Sequence, residues 1–306
     1  MEIKYIAFDS FGIKSSCFQV KTADCTITVD PGIASETNSF PLTMSEKSIL
    51  DEKYYRAISK AIHSSNIIIF THYHWDHVDP NPKLYKNKLL LVKDPKKHIN
   101  RSQKERSAEL LPKIKAEIRI ADAQKFRFGK TEIRFSKALW HGKINTGLGY
   151  VVMVTIDDKK ERLLYTSDLN GIYISKYVNL IAKEKPNYII FDGAPTYLLG
   201  YIMSFENLKK CIKNTIKLLE KTSAKLYIID HHLLRDYRYK ELYYEAFQKA
   251  KKLKKKLITA AEVIGKKPKV IEGYQKNGPT RWKEWETLTF KKLDKIIKHA
   301  KAIAKK

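Results

Sequence analysis

Cysteine is scarce in this chain of 306 residues, and the three that occur, Cys17, Cys25 and Cys211, are scattered and unpaired in spacing. Their odd number excludes a complete disulfide framework, and their spacing excludes a cysteine-based zinc knuckle, so we expect buried reduced thiols. Long hydrophobic runs are also missing, since no apolar stretch reaches the roughly 18–20 residues that cross a bilayer. The first residues lack the basic head and apolar stretch of a secretory signal. These absences predict a cytoplasmic protein without a membrane partner.

Two common catalytic motifs are absent as well. The sequence has no G-x-S-x-G nucleophile elbow and no complete G-x-x-x-x-G-K-S/T phosphate loop. The first absence argues against a serine nucleophile on a strand-to-helix turn, and the second argues against a P-loop nucleotide site. Any hydrolytic chemistry must therefore come from other side chains.

Acidic residues are few relative to basic ones, with 33 Asp and Glu against 59 Lys and Arg, which gives a formal net charge of +26. Clustered cations bind phosphate backbones, so a nucleic-acid partner is one interpretation. The excess is mostly lysine, however, and in residues 249–257 the apolar Ala250, Leu253 and Leu257 recur at helical spacing, as in a solvated helix. Net charge predicts non-specific binding rather than function, so nucleic acid is an alternative that the pattern does not favour.

The most informative feature present is the segment His72-Tyr-His74-Trp-Asp76-His77, directly after the apolar run of residues 66–71. It concentrates three imidazoles and one carboxylate at the point where a buried strand should end. A single histidine is usually structural, but four ligand-type side chains this close would crowd and repel without a cation. Imidazole and carboxylate suit zinc first, with manganese or iron as alternatives.

That segment resembles the H-x-H-x-D-H signature of the metallo-β-lactamase-fold hydrolases, and the resemblance extends over about residues 1–260. Three further motifs follow apolar runs in the expected order: His141-Gly142, Asp168-Leu-Asn-Gly171 and Asp230-His231-His232. Residues 192–197 and 230–236 resemble an uncharacterised archaeal branch of this superfamily, which brings no established substrate. The resemblance implies an α/β fold, a four-layer αβ/βα sandwich with a short C-terminal helical extension.

The resemblance also implies a ligand set for two divalent metal ions. His72, His74 and His141 would bind the first ion, Asp76, His77 and a terminal histidine the second, and Asp168 would bridge them. Both His231 and His232 are candidates for the terminal ligand. The family often places one small residue between the strand end and the ligand, which slightly favours His232.

Other residues would support or complete this site. Asp76 and Asp168 are the expected catalytic carboxylates. Besides binding metal, Asp76 can orient a water shared by the two ions or accept its proton. Asp30 resembles the first acid of the family, which supports the metal-binding loop through hydrogen bonds. Tyr197 and Arg235 are expected to approach the substrate.

The remaining pattern predicts one main domain over residues 1–261, followed by a loop and a basic amphipathic helix, residues 262–306, packed on it. Helices are expected at 45–62, with Ser45 as N-cap, and near 101–116, 173–184, 236–255 and 288–304. Residues 273–279 are expected to form a loop, because Gly273, Gly278 and Pro279 interrupt the pattern. A further helix should begin after Ser204.

The sequence therefore predicts a dinuclear metal-dependent hydrolase that attacks a small molecule with a metal-bridging hydroxide. Among phosphodiester, thioester and lactone substrates, the basic surroundings weakly favour a phosphodiester. A di-iron redox protein and a nuclease or nucleic-acid-binding protein of the same fold are the alternatives. The oligomeric state does not follow from the sequence.

Overall fold

The structure is a computed structural model that describes residues 1–303. Two β-sheets form its middle. The first sheet consists, in spatial order, of β1 (Glu2–Phe8), β2 (Ser16–Lys21), β3 (Thr26–Val29), β4 (Ile67–Phe70), β5 (Leu89–Val92) and β6 (Glu117–Ile120). The later strands are β7 (Lys125–Phe128), β8 (Thr131–Phe135), β9 (Leu139–Trp140), β10 (Tyr150–Val151), β11 (Val154–Asp157), β12 (Arg162–Tyr165), β13 (Tyr188–Asp192), β14 (Leu226–Asp230) and β15 (Leu257–Ile258). Strands β9 and β10 pair with each other, and the others form the second sheet in the order β15-β14-β13-β12-β11-β8-β7.

Each sheet combines antiparallel and parallel strands. Strands β3 to β6 are parallel in the first sheet, and β12 to β15 are parallel in the second. Because parallel strands end at the same edge of a sheet, the segments after β3 and β4 share one edge of the first sheet, and those after β12 and β14 share one edge of the second. These four segments carry Asp30, His72–His77, Asp168 and His231.

Helices cover the outer faces of both sheets. Their bounds are α1 (Met44–His63), α2 (Arg101–Leu110), α3 (Lys176–Lys183), α4 (Phe205–Lys221), α5 (Tyr239–Leu242), α6 (Tyr244–Lys252), α7 (Ala260–Val263), α8 (Lys269–Asn277) and α9 (Phe290–Ile303). Strand β14 shows the layering, because Ile228 belongs to the core between the sheets while Tyr227 and Ile229 belong to the core beneath α3, α4 and α6. The αβ/βα sandwich predicted from the sequence is confirmed.

Several helix ends differ from the predicted ones. Thr43, not Ser45, caps α1, because its hydroxyl accepts from Glu46 N while the Glu46 carboxylate accepts from Thr43 N, a capping box. Helix α2 stops at Leu110 because a 3-10 turn that contains Pro112 follows, so the predicted extension to residue 116 was wrong. The single helix predicted for residues 236–255 is divided into α5 and α6.

The predicted loop at residues 273–279 was also wrong over most of its length, because α8 continues to Asn277. Gly273 lies inside this helix against the backbone of Pro41. A Cβ atom at this position would lie 2.4 Å from the Pro41 carbonyl oxygen, so only glycine permits the close approach.

The C-terminal helix α9 lies against α4. Leu293 is fully buried in the core beneath α4, and Lys301 Nζ lies 2.6 Å from Glu206 Oε1. Towards the C-terminal end of α9 the apolar side chains are no longer buried, and Ile303 is 61% exposed. The structure does not describe residues 304–306. They include the last residue of the predicted helix 288–304 and the end of the predicted C-terminal segment.

All three cysteines are buried and free, as expected. None of the helices in residues 1–303 is long and apolar enough to cross a membrane.

Candidate metal centre

The first group of candidate ligands is formed by side chains from both sheets. Their ligand atoms all lie within 4.8 Å of one another, and the residues are His72, His74, His141 and Asp168. His72 Nε2 lies 3.1 Å from His74 Nδ1, and His141 Nε2 lies 3.4 Å from Asp168 Oδ2. All but His74 are buried. The spacing of these atoms is that of ligands around one ion.

The second group combines Asp76, His77 and His231, whose ligand atoms also lie within 4.8 Å of one another. His231 Nε2 is 3.2 Å from His77 Nε2 and 3.7 Å from Asp76 Oδ2. Asp168 Oδ2 lies 3.1 Å from His77 Nε2 and 3.3 Å from His231 Nε2. The same carboxylate oxygen therefore faces both groups, which is the arrangement of a bridging ligand.

The adjacent histidines His231 and His232 have different positions. His231 has φ 55° and starts the 3-10 turn after β14, which directs its ring towards His77. His232 Nδ1 instead lies 3.2 Å from Asp192 Oδ2, and its Nε2 lies 3.9 Å from Asp168 Oδ2. His231 is grouped with Asp76 and His77, whereas both His231 and His232 are grouped with Asp168, so the slight preference for His232 as terminal ligand stays a prediction. His232 lines the cavity above the site.

Asp30 lies behind the histidine segment. Its Oδ2 is 2.9 Å from His77 Nδ1 and accepts hydrogen bonds from Thr71 Oγ1 and Tyr165 Oη, while its Oδ1 accepts from Thr71 N. A carboxylate at Nδ1 fixes the ring so that Nε2 faces the ligand group. Asp30 thus connects β3, β4 and β12 at their carboxyl ends.

Asp9 orients His231 as Asp30 orients His77, a role that the sequence pattern did not predict. It is fully buried in the turn after β1, where Oδ1 lies 2.8 Å from His231 Nδ1 and Oδ2 accepts from Arg235 Nε at 2.5 Å. The signal available in the sequence was weak, since Asp9 follows a strand as Asp30 does but has no histidine near it in the chain. Its partner is more than 200 residues away.

Two buried polar atoms of the candidate ligands have no hydrogen-bond partner among residues 1–303. They are His141 Nε2 and Asp168 Oδ1. A buried polar atom without a partner is costly, so such atoms call for an additional group. An imidazole nitrogen and a carboxylate oxygen are suitable ligands for a divalent cation, so the residues present fit the metal that the resemblance implies.

The proton equilibria of the imidazoles support the same conclusion. Burial, followed by the neighbouring His77, holds the pKa of His72 well below its usual value, and burial lowers the pKa of His74 to about 3. For His77 burial acts in the same direction, but Asp168 and Asp30 outweigh it and raise the pKa to about 10. Neutral imidazole is the form that binds metal, so His72 and His74 are ready for an ion and His77 would exchange a proton for one.

A cavity of about 380 Å³ opens above the two groups. Arg235 and Tyr197, which were expected near the substrate, both line it, and Arg235 Nη1 donates to Tyr197 Oη at 3.2 Å. The buried guanidinium also lies 3.3 Å from Asp76 Oδ2. The structure therefore brings every residue of the predicted site to one location, with His232 on the cavity side.

Comparison with known proteins assigns this chain to a family. The family model described as the metallo-beta-lactamase superfamily matches residues 12–261. The chain is 37% identical over 289 residues to a UPF0282 protein of Sulfurisphaera tokodaii, covering 90% of this chain and 92% of the relative. It is 36% identical over 292 residues to the UPF0282 protein MJ1629 of Methanocaldococcus jannaschii, covering 90% and 96%.

Solved structures show the same fold at low identity. The metallo-beta-lactamase fold protein YhfI of Bacillus subtilis has a TM-score of 0.51 and 13% identity, covering 84% of this chain and 95% of that one. CmlA, a diiron beta-hydroxylase of Streptomyces venezuelae, also has a TM-score of 0.51, with 12% identity, and covers 84% and 52%. At these identities the likeness concerns the fold alone.

Proposed function

This chain belongs to the metallo-β-lactamase superfamily, and from that premise we propose that it is a hydrolase that uses two divalent metal ions. Members of the superfamily are mostly metal-dependent hydrolases. The observation that carries the proposal is the position of Asp168 Oδ2, which lies within 3.4 Å of His77, His141 and His231. One carboxylate between two groups of nitrogen and oxygen donors is what a pair of ions requires.

The proposed ligands follow the two groups in space. The first ion is assigned to His72, His74 and His141, the second to Asp76, His77 and His231, and the bridge to Asp168. Nitrogen and oxygen donors of this kind suit zinc, with manganese and iron as alternatives.

When bound, the ions would lower the pKa of a shared water and polarise the scissile group. The chain itself supplies orientation and proton transfer. Asp30 and Asp9 fix the rings of His77 and His231 through their Nδ1 atoms, and Asp76 is the carboxylate assigned to accept the proton of the water. In phosphodiester hydrolysis the water oxygen bonds to phosphorus and the bond to one ester oxygen breaks. The proton that Asp76 accepts then passes to the leaving alcohol.

The open side of the site favours an anionic substrate. Arg235 and Lys143 are the cationic side chains that line the cavity within the described part of the chain, and Arg235 stands next to Asp76. A phosphodiester carries the negative charge that these groups would attract, whereas lactones and simple thioesters carry none at the scissile group. We therefore favour a small phosphodiester over those esters, and nucleic acid, suggested by the net charge of +26, is the alternative substrate or partner.

A di-iron redox protein is the second candidate function. The same ligand set suits iron, and one fold neighbour, CmlA, is a diiron beta-hydroxylase. That candidate predicts oxygen consumption that requires iron and is lost when zinc replaces it. The hydrolase predicts diester turnover with zinc or manganese and no oxygen consumption.

The proposal is tested by metal analysis of protein purified without added metal, followed by a panel of small esters and diesters. We expect close to two ions per chain, loss of diester hydrolysis on chelation, and its recovery on addition of zinc or manganese. Well-folded protein that holds only traces of metal and takes up none on titration would refute the site. Two bound ions with redox activity and no hydrolysis would select the second candidate.

A further inference from the structure

Part of the cavity lining is apolar. Four aliphatic or thioether side chains line the cavity, and we call them the apolar wall: Leu148, Leu198, Ile202 and Met203. The uncharged polar residues Thr146, Asn170 and Asn207 line it as well. Within the apolar wall, Leu148 belongs to the loop before β10, and the other three residues to the segment between β13 and α4. An apolar surface that faces a metal site binds a part of the substrate that has no charge.

The loops that carry the apolar wall are uncharged in a chain that is otherwise rich in charge. Residues 144–149 and 193–205 contain no Asp, Glu, Lys or Arg, although 30% of the whole chain is charged. Four of the eleven exposed large apolar side chains in the described residues lie on these two loops: Ile144, Leu148, Tyr201 and Ile202. Single exposed apolar side chains are ordinary, but a cluster at the mouth of a cavity marks a binding surface.

The cations at the cavity are too few for a polyanion. Lys143 and Arg235 are its only cationic lining residues within the described chain, and Asp9 and Asp76 already pair with Arg235. A nucleic-acid strand would need a series of lysines or arginines along its backbone. The volume of about 380 Å³ is at the lower end of the range for small-molecule sites, roughly 300–1,000 Å³.

The apolar surface also continues beyond the cavity. Ile202 and Met203 line a second groove of about 460 Å³, whose other side is formed by Ile297 and Ala300 of α9. Because the same two residues border both spaces, an elongated apolar group could extend from the metal site along them.

We propose that the substrate is an amphipathic phosphodiester, in which one ester group is an alkyl chain or aromatic ring that lies on the apolar wall. The phosphate then faces the ligand groups and Arg235, and water replaces one ester oxygen as described above. This inference rests on the proposed function for its reaction, but the binding of the apolar group is a separate property. It assigns the specificity of the site to Leu148, Leu198, Ile202 and Met203.

Two diesters with the same leaving group and charge test the proposal: methyl p-nitrophenyl phosphate and octyl p-nitrophenyl phosphate, used below the micelle concentration. We expect kcat/KM of the metal-loaded protein to be about tenfold or more higher for the octyl compound, because each buried methylene adds to the affinity. Ile202→Ser and Leu148→Ser should reduce this ratio to about threefold or less.

Ile49→Ser is the matched control, because Ile49 on α1 is 63% exposed and Ile202 is 67% exposed, yet Ile49 does not line the cavity. It should leave the ratio unchanged. Equal kcat/KM for the methyl and octyl compounds would overturn the inference. So would an unchanged ratio in both Ile202→Ser and Leu148→Ser, since the wall would then not contact the apolar group of the substrate.

Calorimetric binding of methyl phosphate and octyl phosphate to the metal-loaded protein separates this inference from the proposed reaction. Tighter binding of octyl phosphate that is weakened by Ile202→Ser, without cleavage of any diester, would support the apolar site and refute the hydrolase. Cleavage of diesters with equal binding of both phosphates would support the hydrolase and refute the apolar site.

Discussion

The ligand floor of the cavity, formed by the seven proposed metal ligands, and the apolar wall above it differ in how they are held. In the floor, His77 and His231 each have a carboxylate at Nδ1 and share a third carboxylate at Nε2. In the apolar wall, Ile202 is 67% exposed and lies on an uncharged loop. The floor is a hydrogen-bonded network that tolerates little change, whereas the exposed wall residues Ile202 and Leu148 can vary without disturbing it.

This difference has a functional meaning. Metal ligands must be placed to within a fraction of an ångström, and hydrogen bonds to a second layer of carboxylates provide that precision. An apolar group of a substrate needs contact area rather than exact geometry, so side chains on loops suffice. We therefore expect the reaction to depend on the floor and the choice of substrate on the wall.

Loss of the bridge should have the largest effect. Asp168→Ala removes the carboxylate oxygen that lies within 3.4 Å of histidines of both ligand groups, so we expect metal content to fall below two ions per chain and turnover to fall to background. Metal analysis by mass spectrometry and a diester assay measure both. Cys25→Ser, a change of a buried residue away from the site, is the control and should alter neither. Full occupancy and turnover in Asp168→Ala would show that the floor is not a metal site.

The adjacent histidines should differ strongly from each other. We expect His231→Ala to weaken binding of one ion by about 100-fold or more, since even the loss of a supporting residue costs about 10–100-fold. His232→Ala should keep both ions and change turnover, because His232 faces the cavity. Competition with a chromophoric chelator measures the affinities, and the exposed His63→Ala is the control. Weaker metal binding in His232→Ala alone would return the ligand role to His232.

Asp9 should have a smaller effect of the same kind. Asp9→Asn removes the charge that orients His231 and pairs with Arg235, so we expect about 10-fold weaker binding of one ion, within the range for supporting carboxylates. The same chelator competition measures it, and the first ion should be unaffected. Unchanged affinity for both ions would mean that the turn after β1 is structural and not part of the floor.

Substitutions in the apolar wall are expected to change metal binding by the ligand floor least. Ile202→Ser should leave metal content unchanged and shift the free energy of unfolding by no more than about 0.5 kcal/mol, as for most exposed positions. Metal analysis and denaturant unfolding test this expectation. A loss of metal in this variant would mean that floor and wall are one structural unit.

The sequence made the floor largely predictable, because metal ligands are rare residue types at characteristic spacings. The segment from His72 to His77, and the motifs at His141 and Asp168, each follow a strand, and the structure brings all of them together. The sandwich followed from the same resemblance. The choice between His231 and His232 did not, because neighbouring residues differ only in backbone direction, and His231 takes a left-handed φ of 55°.

The wall could not be foreseen in this way. Leu148, Leu198, Ile202 and Met203 look in the sequence like ordinary loop or core residues, and the lack of charge around them has meaning only next to a cavity. Gly273 gives a second example, since its helix depends on a close approach to Pro41 that no local pattern records. Such features arise from contacts between distant segments.

By itself the sequence determined which residue types could bind metal and which strands would deliver them, since both depend on local spacing and hydrophobic pattern. Only the tertiary structure decided which histidine faces the second group, that Asp9 supports it, and that two uncharged loops enclose the site. The physical reason is that these outcomes depend on directions and distances between segments up to 222 residues apart, as between Asp9 and His231, and on burial that only the complete fold provides.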